Sequence, residues 1–381
     1  MFIVERTIVH RYCLLVVLFL ILNPQTKAQE TEWKFQEQCA AYATSNLEFH
    51  GTILATGYGG LHGINANWET PRIVARINRY SDGRLSPDQR WYAEVLENVI
   101  YAESFNDEHV IENIRVSSTL GDSTVYVIPW QNSWLQMWGY REFFWINNDH
   151  ILYEFSDNFV HDLEELVSVN PFENTVVQWN ASIDILDGGS GFQHQYIQFP
   201  SPDFTKTVYF PSLYQDHFAL YDVSSGELVS KLPSMADAVV AWQPDSSAFA
   251  LEITTNDNQT ELVIYDSEGN FIESLFELGS YRIHTPENIR WSYNSQYLAF
   301  RPASRTLLIA DTKSQSVLDT CLTTGTGFSW SPDGTQIAFL EPGSGIQGVT
   351  VFDLPTWTYR IVARHIVQTD FWDKVIGWRE D

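Results

Sequence analysis

Beyond its first residues the chain is a succession of short apolar runs with alternating side chains, punctuated by Ser, Pro, Asp, Asn and Gly. Ser247-Ala248-Phe249-Ala250-Leu251, Gln296-Tyr297-Leu298-Ala299-Phe300 and Thr335-Gln336-Ile337-Ala338-Phe339 are the clearest of them. A period of two puts successive side chains on opposite faces of a pleated strand, so the pattern predicts half-buried strands. Second runs at 261–265, 306–310 and 348–352 lead to polar turns such as Asp266-Ser267-Glu268-Gly269-Asn270 and then to third runs at 271–276 and 358–363. Counting the strand before each turn, the pattern predicts an all-β chain of four-stranded units.

The turn before each alternating run repeats. Trp330-Ser331-Pro332-Asp333-Gly334 returns as Trp291-Ser292-Tyr293-Asn294-Ser295 and as Trp242-Gln243-Pro244-Asp245. Ser201-Pro202-Asp203 and Leu85-Ser86-Pro87-Asp88 are further copies, Trp145-Ile146-Asn147-Asn148 is a degenerate one, and the chain stops on Trp378-Arg379-Glu380-Asp381. Ser, Pro, Asp and Gly in this order suit a type I turn, because Pro presets φ at the second position and Gly tolerates the positive φ that follows. Each copy therefore reads as a hairpin between the Trp-bearing strand and the alternating run.

Aligned on the acidic or amide position, the copies fall at Asp88, Asn148, Asp203, Asp245, Asn294, Asp333 and Asp381, between 39 and 60 residues apart. Four-stranded propeller blades repeat every 40 to 50 residues or so, and the longer early steps imply insertions. The last copy supplies one strand at 374–378 without partners after it, whereas three strand-like runs at 51–57, 61–67 and 71–77 carry no such turn. Pairing these with the C-terminal strand would close the ring and leave no exposed sheet edge. The expectation is an all-β propeller of seven four-stranded blades, with six blades and an N-terminal extension as the alternative. Residues 1–28 are expected to be a signal peptide, 29–46 a lead and 47–381 a single propeller domain.

The Trp-Ser-Pro-Asp-Gly turn followed by an Ile-Ala-Phe strand resembles the WD40-like repeats of TolB-type and dipeptidyl-peptidase-type β-propellers, over about residues 80–381 and best at 242–340. The Asn148 and Asn294 copies and the long early steps depart from that pattern. The resemblance implies a binding platform. Some such propellers precede an α/β-hydrolase domain that carries the chemistry, and as none follows Asp381, peptidase activity is not expected.

Composition narrows the partners. The 48 acidic residues exceed the 22 basic ones, a net charge of −26, and the resulting field repels nucleic acid. Only 18% of residues are charged, 44% are hydrophobic and 14% aromatic, which suits a folded, core-forming chain. Arg6 and Arg11 precede an uncharged run from Tyr12 to Leu22, too short for the roughly 20 residues of a membrane-spanning helix, and Thr26-Lys27-Ala28 follows it. This is a signal-peptide layout, with cleavage expected between Ala28 and Gln29 and an uncleaved anchor as the alternative. The expected location is secreted, periplasmic or at the cell surface, with no stable membrane span after cleavage. In an oxidising compartment Cys39 and Cys321 can form a disulfide, with two buried thiols as the alternative.

Other motifs carry less. Gly343-Ser344-Gly345-Ile346-Gln347-Gly348 fits a phosphate-loop spacing but sits between strands, so it reads as a hairpin loop. Gly188-Gly189-Ser190-Gly191 lacks the final glycine of a nucleophile elbow, since Phe192 stands there. The acidic clusters Asp162, Glu164, Glu165 and Asn256-Asp257-Asn258 lack calcium-loop spacing and read as solvated loops. The histidines are dispersed. No catalytic residue, metal site or cofactor is expected. Trp130, Trp134 and Trp138, in an aromatic run that continues to Trp145, either pack between blades or stand on a face as ligand-stacking aromatics. Two functions remain: a monomeric, non-catalytic scaffold for a protein or glycan, or a hydrolase or lyase with its site in the central funnel. Asn180 and Asn258 fit the glycosylation sequon.

Overall fold

The alternating runs are strands in the computed structural model, which describes residues 33–44, 47–57, 60–77, 83–100, 109–129, 133–134, 143–156, 164–178, 197–210, 218–233, 239–255, 257, 259–283, 285–303, 306–325, 327–341, 347–367 and 374–381. The strands form seven sheets in a propeller arrangement. Six contain four strands that are consecutive in sequence. Blade 2 comprises Arg84–Leu85, Trp91–Ile100, His109–Ser118 and Val125–Pro129, with Ser133–Trp134 added. Blade 3 comprises Phe143–Trp145, Ile151–Ser156, Glu164–Asn170 and Thr175–Gln178, and blade 4 Ile197–Pro200, Lys206–Phe210, Ala219–Asp222 and Leu228–Lys231. Blade 5 comprises Val240–Trp242, Ala248–Thr254, Thr260–Asp266 and Phe271–Gly279. Blade 6 holds Ile289–Trp291, Tyr297–Phe300, Leu308–Asp311 and Ser316–Asp319, and blade 7 Phe328–Trp330, Gln336–Leu340, Gln347–Asp353 and Thr358–Val367.

The remaining sheet, blade 1, is built from both ends of the chain. Val375–Arg379 pairs antiparallel with Thr52–Gly57, which continues into Gly60–Asn65 and Arg72–Ala75. Gly51 enters this sheet at φ +81, and a Cβ there would lie 2.3 Å from the Arg379 carbonyl oxygen, so the strand needs glycine to approach the C-terminal strand.

The second strands are buried more completely than a half-buried pattern predicts: every residue of Gln336–Leu340 is buried. The reason is that blades 1, 2, 5, 6 and 7 pack into a core on both faces. Phe249 and Leu251 join the core between blades 4 and 5, while Ala248 and Ala250 join the core between blades 5 and 6. Leu298 and Phe300 face blade 5, and Ala299 faces blade 7. Ile337 and Phe339 face blade 6, and Ala338 and Leu340 face blade 1. The period of two thus separates residues facing the preceding blade, which are large, from those facing the following one, where Ala recurs; both contribute to cores at interior packing density. Further cores join blades 1 and 2 and blades 2 and 3.

An N-terminal strap adds a feature absent from the sequence reading. Lys34–Glu37 extends the outer edge of blade 6 as a parallel strand against Ser316–Asp319, and Ala41–Tyr42 does the same for blade 7 against Thr358–Tyr359. Between them Cys39 and Cys321 form a disulfide. The Trp33 indole donates to Glu273 of blade 5 at 3.0 Å, and the Trp357 indole donates to the Gln38 carbonyl. The strap covers edges that would otherwise present unpaired backbone groups. It belongs to the compact unit Trp33–Asp381. Ala28 and Gln29, with the rest of the expected signal peptide, lie outside the described residues.

Candidate functional site

The repeated turn is one structure used many times. Ser86, Ser201, Ser292 and Ser331 hydroxyls donate to the side-chain oxygens of Asp88, Asp203, Asn294 and Asp333 at 2.6–2.7 Å. The same oxygen accepts the amide N–H two residues on at 3.1 Å, as does Asp245 from Ser247. Gln89, Phe204, Ser246, Ser295 and Gly334 follow with φ of 56–71°. In blade 3 the pattern shifts: Asn147 accepts the N–H of Asp149, and Asn148 instead accepts the N–H of Asp88 on blade 2. Asp381 accepts from Thr52 Oγ1 and Asn65 Nδ2 at 2.8–2.9 Å, fastening the last residue to blade 1.

The tryptophan of the repeat joins neighbouring blades. Trp145, Trp242, Trp291 and Trp330 donate their indole N–H to the carbonyls of Arg84, Phe199, Ala241 and Arg290 at 2.9–3.1 Å. In every case the acceptor is on the first strand of the preceding blade, one residue before the aligned tryptophan position. Trp378 differs, donating to the His50 carbonyl at 2.7 Å.

First strands contact one another between blades 2 and 3, 5 and 6, 6 and 7, and 7 and 1, making the inner wall of a propeller. A cavity of about 290 Å³ opens on this wall at blades 5 to 7, lined by Ala241, Trp242, Arg290, Trp291, Tyr293 and Trp330 among others. Trp291 and Trp330 are nearly fully buried in the blade junctions, whereas Tyr293 is 43% exposed. Trp242 and Arg290 are half-buried. With the exposed Pro286, these three are the accessible side chains of the lining.

The cavity is tied to blades beyond its neighbours. Arg290 Nη1 donates to the Ile376 carbonyl of blade 1 at 3.2 Å, bypassing blade 7. Lys374 Nζ lies 3.0 Å from Glu287 Oε1, also linking blade 1 to the lead-in of blade 6. Gln89 of blade 2 donates through its side-chain amide to the Tyr293 hydroxyl and accepts the Trp378 amide N–H. Burial pushes the Glu287 carboxyl up, but the Lys374 ammonium outweighs it and the group is held below its usual value. Burial presses the Arg290 guanidinium pKa down, against the Tyr293 phenol and Glu287, and raises the Tyr293 phenol.

Trp130 and Trp138 lie outside the described residues; Trp134 is in a strand paired with His109 and Val110, and its side chain is not described. Of the same aromatic run, Phe143 and Trp145 pack in the core between blades 2 and 3. Residues 342–346, 188–191, Asp162, Asn180, Asn256 and Asn258 are outside the described residues. Arg290, Tyr293 and Gln89 were missed by sequence reading, although two of them depart from the repeat. Tyr293 replaces its proline and Arg290 stands where Ala241 and Ser329 stand in the neighbouring copies, whereas Gln89 occupies a turn position that varies from copy to copy.

No protein-family model matches the chain, and no curated protein matches it. Among solved structures it is similar to TolB from Acinetobacter baumannii, at 12% identity over 87% of this chain and 67% of that one, with a TM-score of 0.42. It is also similar to a candidate 6-phosphogluconolactonase from Bacteroides uniformis, at 13% identity over 85% and 99% of the two chains, with a TM-score of 0.49. By its own sheet order and its repeated turn, the chain is a β-propeller.

Proposed function

We propose that this propeller is a monomeric, non-catalytic scaffold of the secreted or cell-envelope space that binds a protein through the channel cavity at blades 5 to 7. The observation that carries the reading is that the accessible side chains there include Trp242, Tyr293 and Arg290. Trp, Tyr and Arg dominate the energetic centres of protein interfaces, because they offer large contact area or a directional charge at modest entropic cost. The wall behind them is rigid, since Trp242, Trp291 and Trp330 are each fixed by an indole hydrogen bond to the neighbouring blade. A Cys39–Cys321 bond supports residence in an oxidising compartment.

Immobilised full-length protein, with Tyr293→Ala alongside, is exposed to the medium and envelope fraction of its own source and to a glycan array. The reading predicts a protein captured by the parent and lost with the variant at unchanged melting temperature. Equal capture by both, or binding to glycans alone, overturns it.

A further inference from the structure

The cavity holds a cation whose charge the surrounding groups leave uncompensated. Lys374 and Glu287 neutralise each other at 3.0 Å. Arg290, beside them, makes one hydrogen bond, to the Ile376 carbonyl, and its guanidinium has no other hydrogen-bond acceptor among the described residues. A guanidinium carries five N–H donors in a planar fork. Arg290 is half-buried in the lining of an open cavity, so an acceptor that enters the cavity can reach donors to which the described residues offer no partner.

We propose that Arg290 receives a single carboxylate whose attached apolar or ring group packs against Tyr293 and Trp242. This deepens the reading given above, to which it adds the chemistry of the group recognised. The charge count selects the anion. Arg290 is the one charged residue of the lining, and Lys374 and Glu287 pair with each other, which leaves one positive charge and matches a monoanion. A phosphate dianion would leave a negative charge in a chain whose net charge is already −26. A carboxylate also matches the guanidinium fork with two parallel hydrogen bonds. The volume selects the size: about 290 Å³ lies at the lower limit for ligand pockets, so it admits one terminal group of a longer molecule, or a small molecule. Tyr293 and Trp242 flank that space with the contact surface an apolar group requires.

The test uses the full-length protein and fluorine-detected ligand binding with 4-fluorobenzoate, 4-fluorobenzamide and 4-fluorophenyl phosphate. The expected result is line broadening by the benzoate, affinity for the amide and the phosphate weaker by about tenfold or more, and a similar loss of benzoate binding in Arg290→Met. Arg290→Lys is expected to recover part of it. Equal binding of benzoate and benzamide, or unchanged benzoate binding in Arg290→Met, overturns the proposal. If Arg290→Met fails to fold, the benzoate–benzamide contrast on the parent protein decides alone. Competition by N-acetylphenylalanine, but not by its C-terminal amide, would identify a peptide C-terminus as the source of the carboxylate, and competition by neither a free small acid. Because these probes need no protein partner, the carboxylate site is judged separately: captured protein without benzoate binding refutes the site, and benzoate binding without captured protein refutes the scaffold.

Discussion

Blade 1 and the continuous blades use the same repeat residues for different ends. In blades 3, 5, 6 and 7 the tryptophan indole reaches back to the preceding blade, so each blade is fixed to one made just before it. In blade 1, Trp378 binds His50, and Asp381 binds Thr52 and Asn65, so the same two positions fix the last residues of the chain to its beginning. A local device thus becomes a long-range one solely because of where the repeat falls. Its energetic weight should differ accordingly, since losing a closing contact releases a whole ring while losing an indole bond loosens one junction.

The sharpest contrast is between Trp378 and Trp242. Trp378 is fully buried beside Phe49, whereas Trp242 is half-buried. Trp378→Ala should cost about 3–5 kcal/mol in urea unfolding, and Trp242→Ala clearly less. Equal losses would break the distinction between closure and junction. Next in size is the strap. Cys39→Ser removes a bond spanning 282 residues and should cost about 2–5 kcal/mol, with protease cleavage appearing first near residues 33–43. Cleavage appearing first within blade 1 would place the weak point at the closure instead.

A smaller effect is expected from Trp330→Phe, which keeps most of the buried ring but leaves the Arg290 carbonyl without its indole donor: about 1 kcal/mol, with a similar figure for Trp291→Phe. The smallest concerns pH. Burial raises the carboxyls of Asp203 and Asp333, but the Ser201 or Ser331 hydroxyl and the Thr205 or Thr335 N–H outweigh it and hold both below the usual value. A folded-state pKa below the unfolded value of about 3.9 stabilises above that pH and loses its effect as pH falls through the folded value. Melting temperature should therefore drop on acidification below about pH 4, and Asp333→Asn should flatten that limb; an unchanged slope would show that the turn carboxylate does not contribute.

Much of the fold was legible because the repeat imposes the same local chemistry many times: Ser, Asp and a positive φ at fixed offsets, and large and small residues alternating between two blade faces. The pairing of 374–378 with the N-terminal runs followed from counting strands that lacked partners. The strap was not legible. Its parallel strands at Lys34–Glu37 and Ala41–Tyr42 have exposed side chains and no alternation, so nothing in their pattern marks them as sheet. The candidate site was hidden for a related reason. Gln89 lies far in sequence from Arg290 and Tyr293 and meets Tyr293 only through the ring, and the sole local sign of the pair is that Arg290 and Tyr293 break the frame around them.

Closure of the ring by blade 1 is tested most directly by native-state hydrogen exchange. The paired amides of Thr52–Ala55 and Val375–Arg379 are expected to exchange with the same opening free energy as those of Gln336–Leu340 in blade 7, because the closing sheet opens only when the ring does. Exchange of the blade 1 amides through a separate, lower-energy opening while blade 7 stays protected would contradict it.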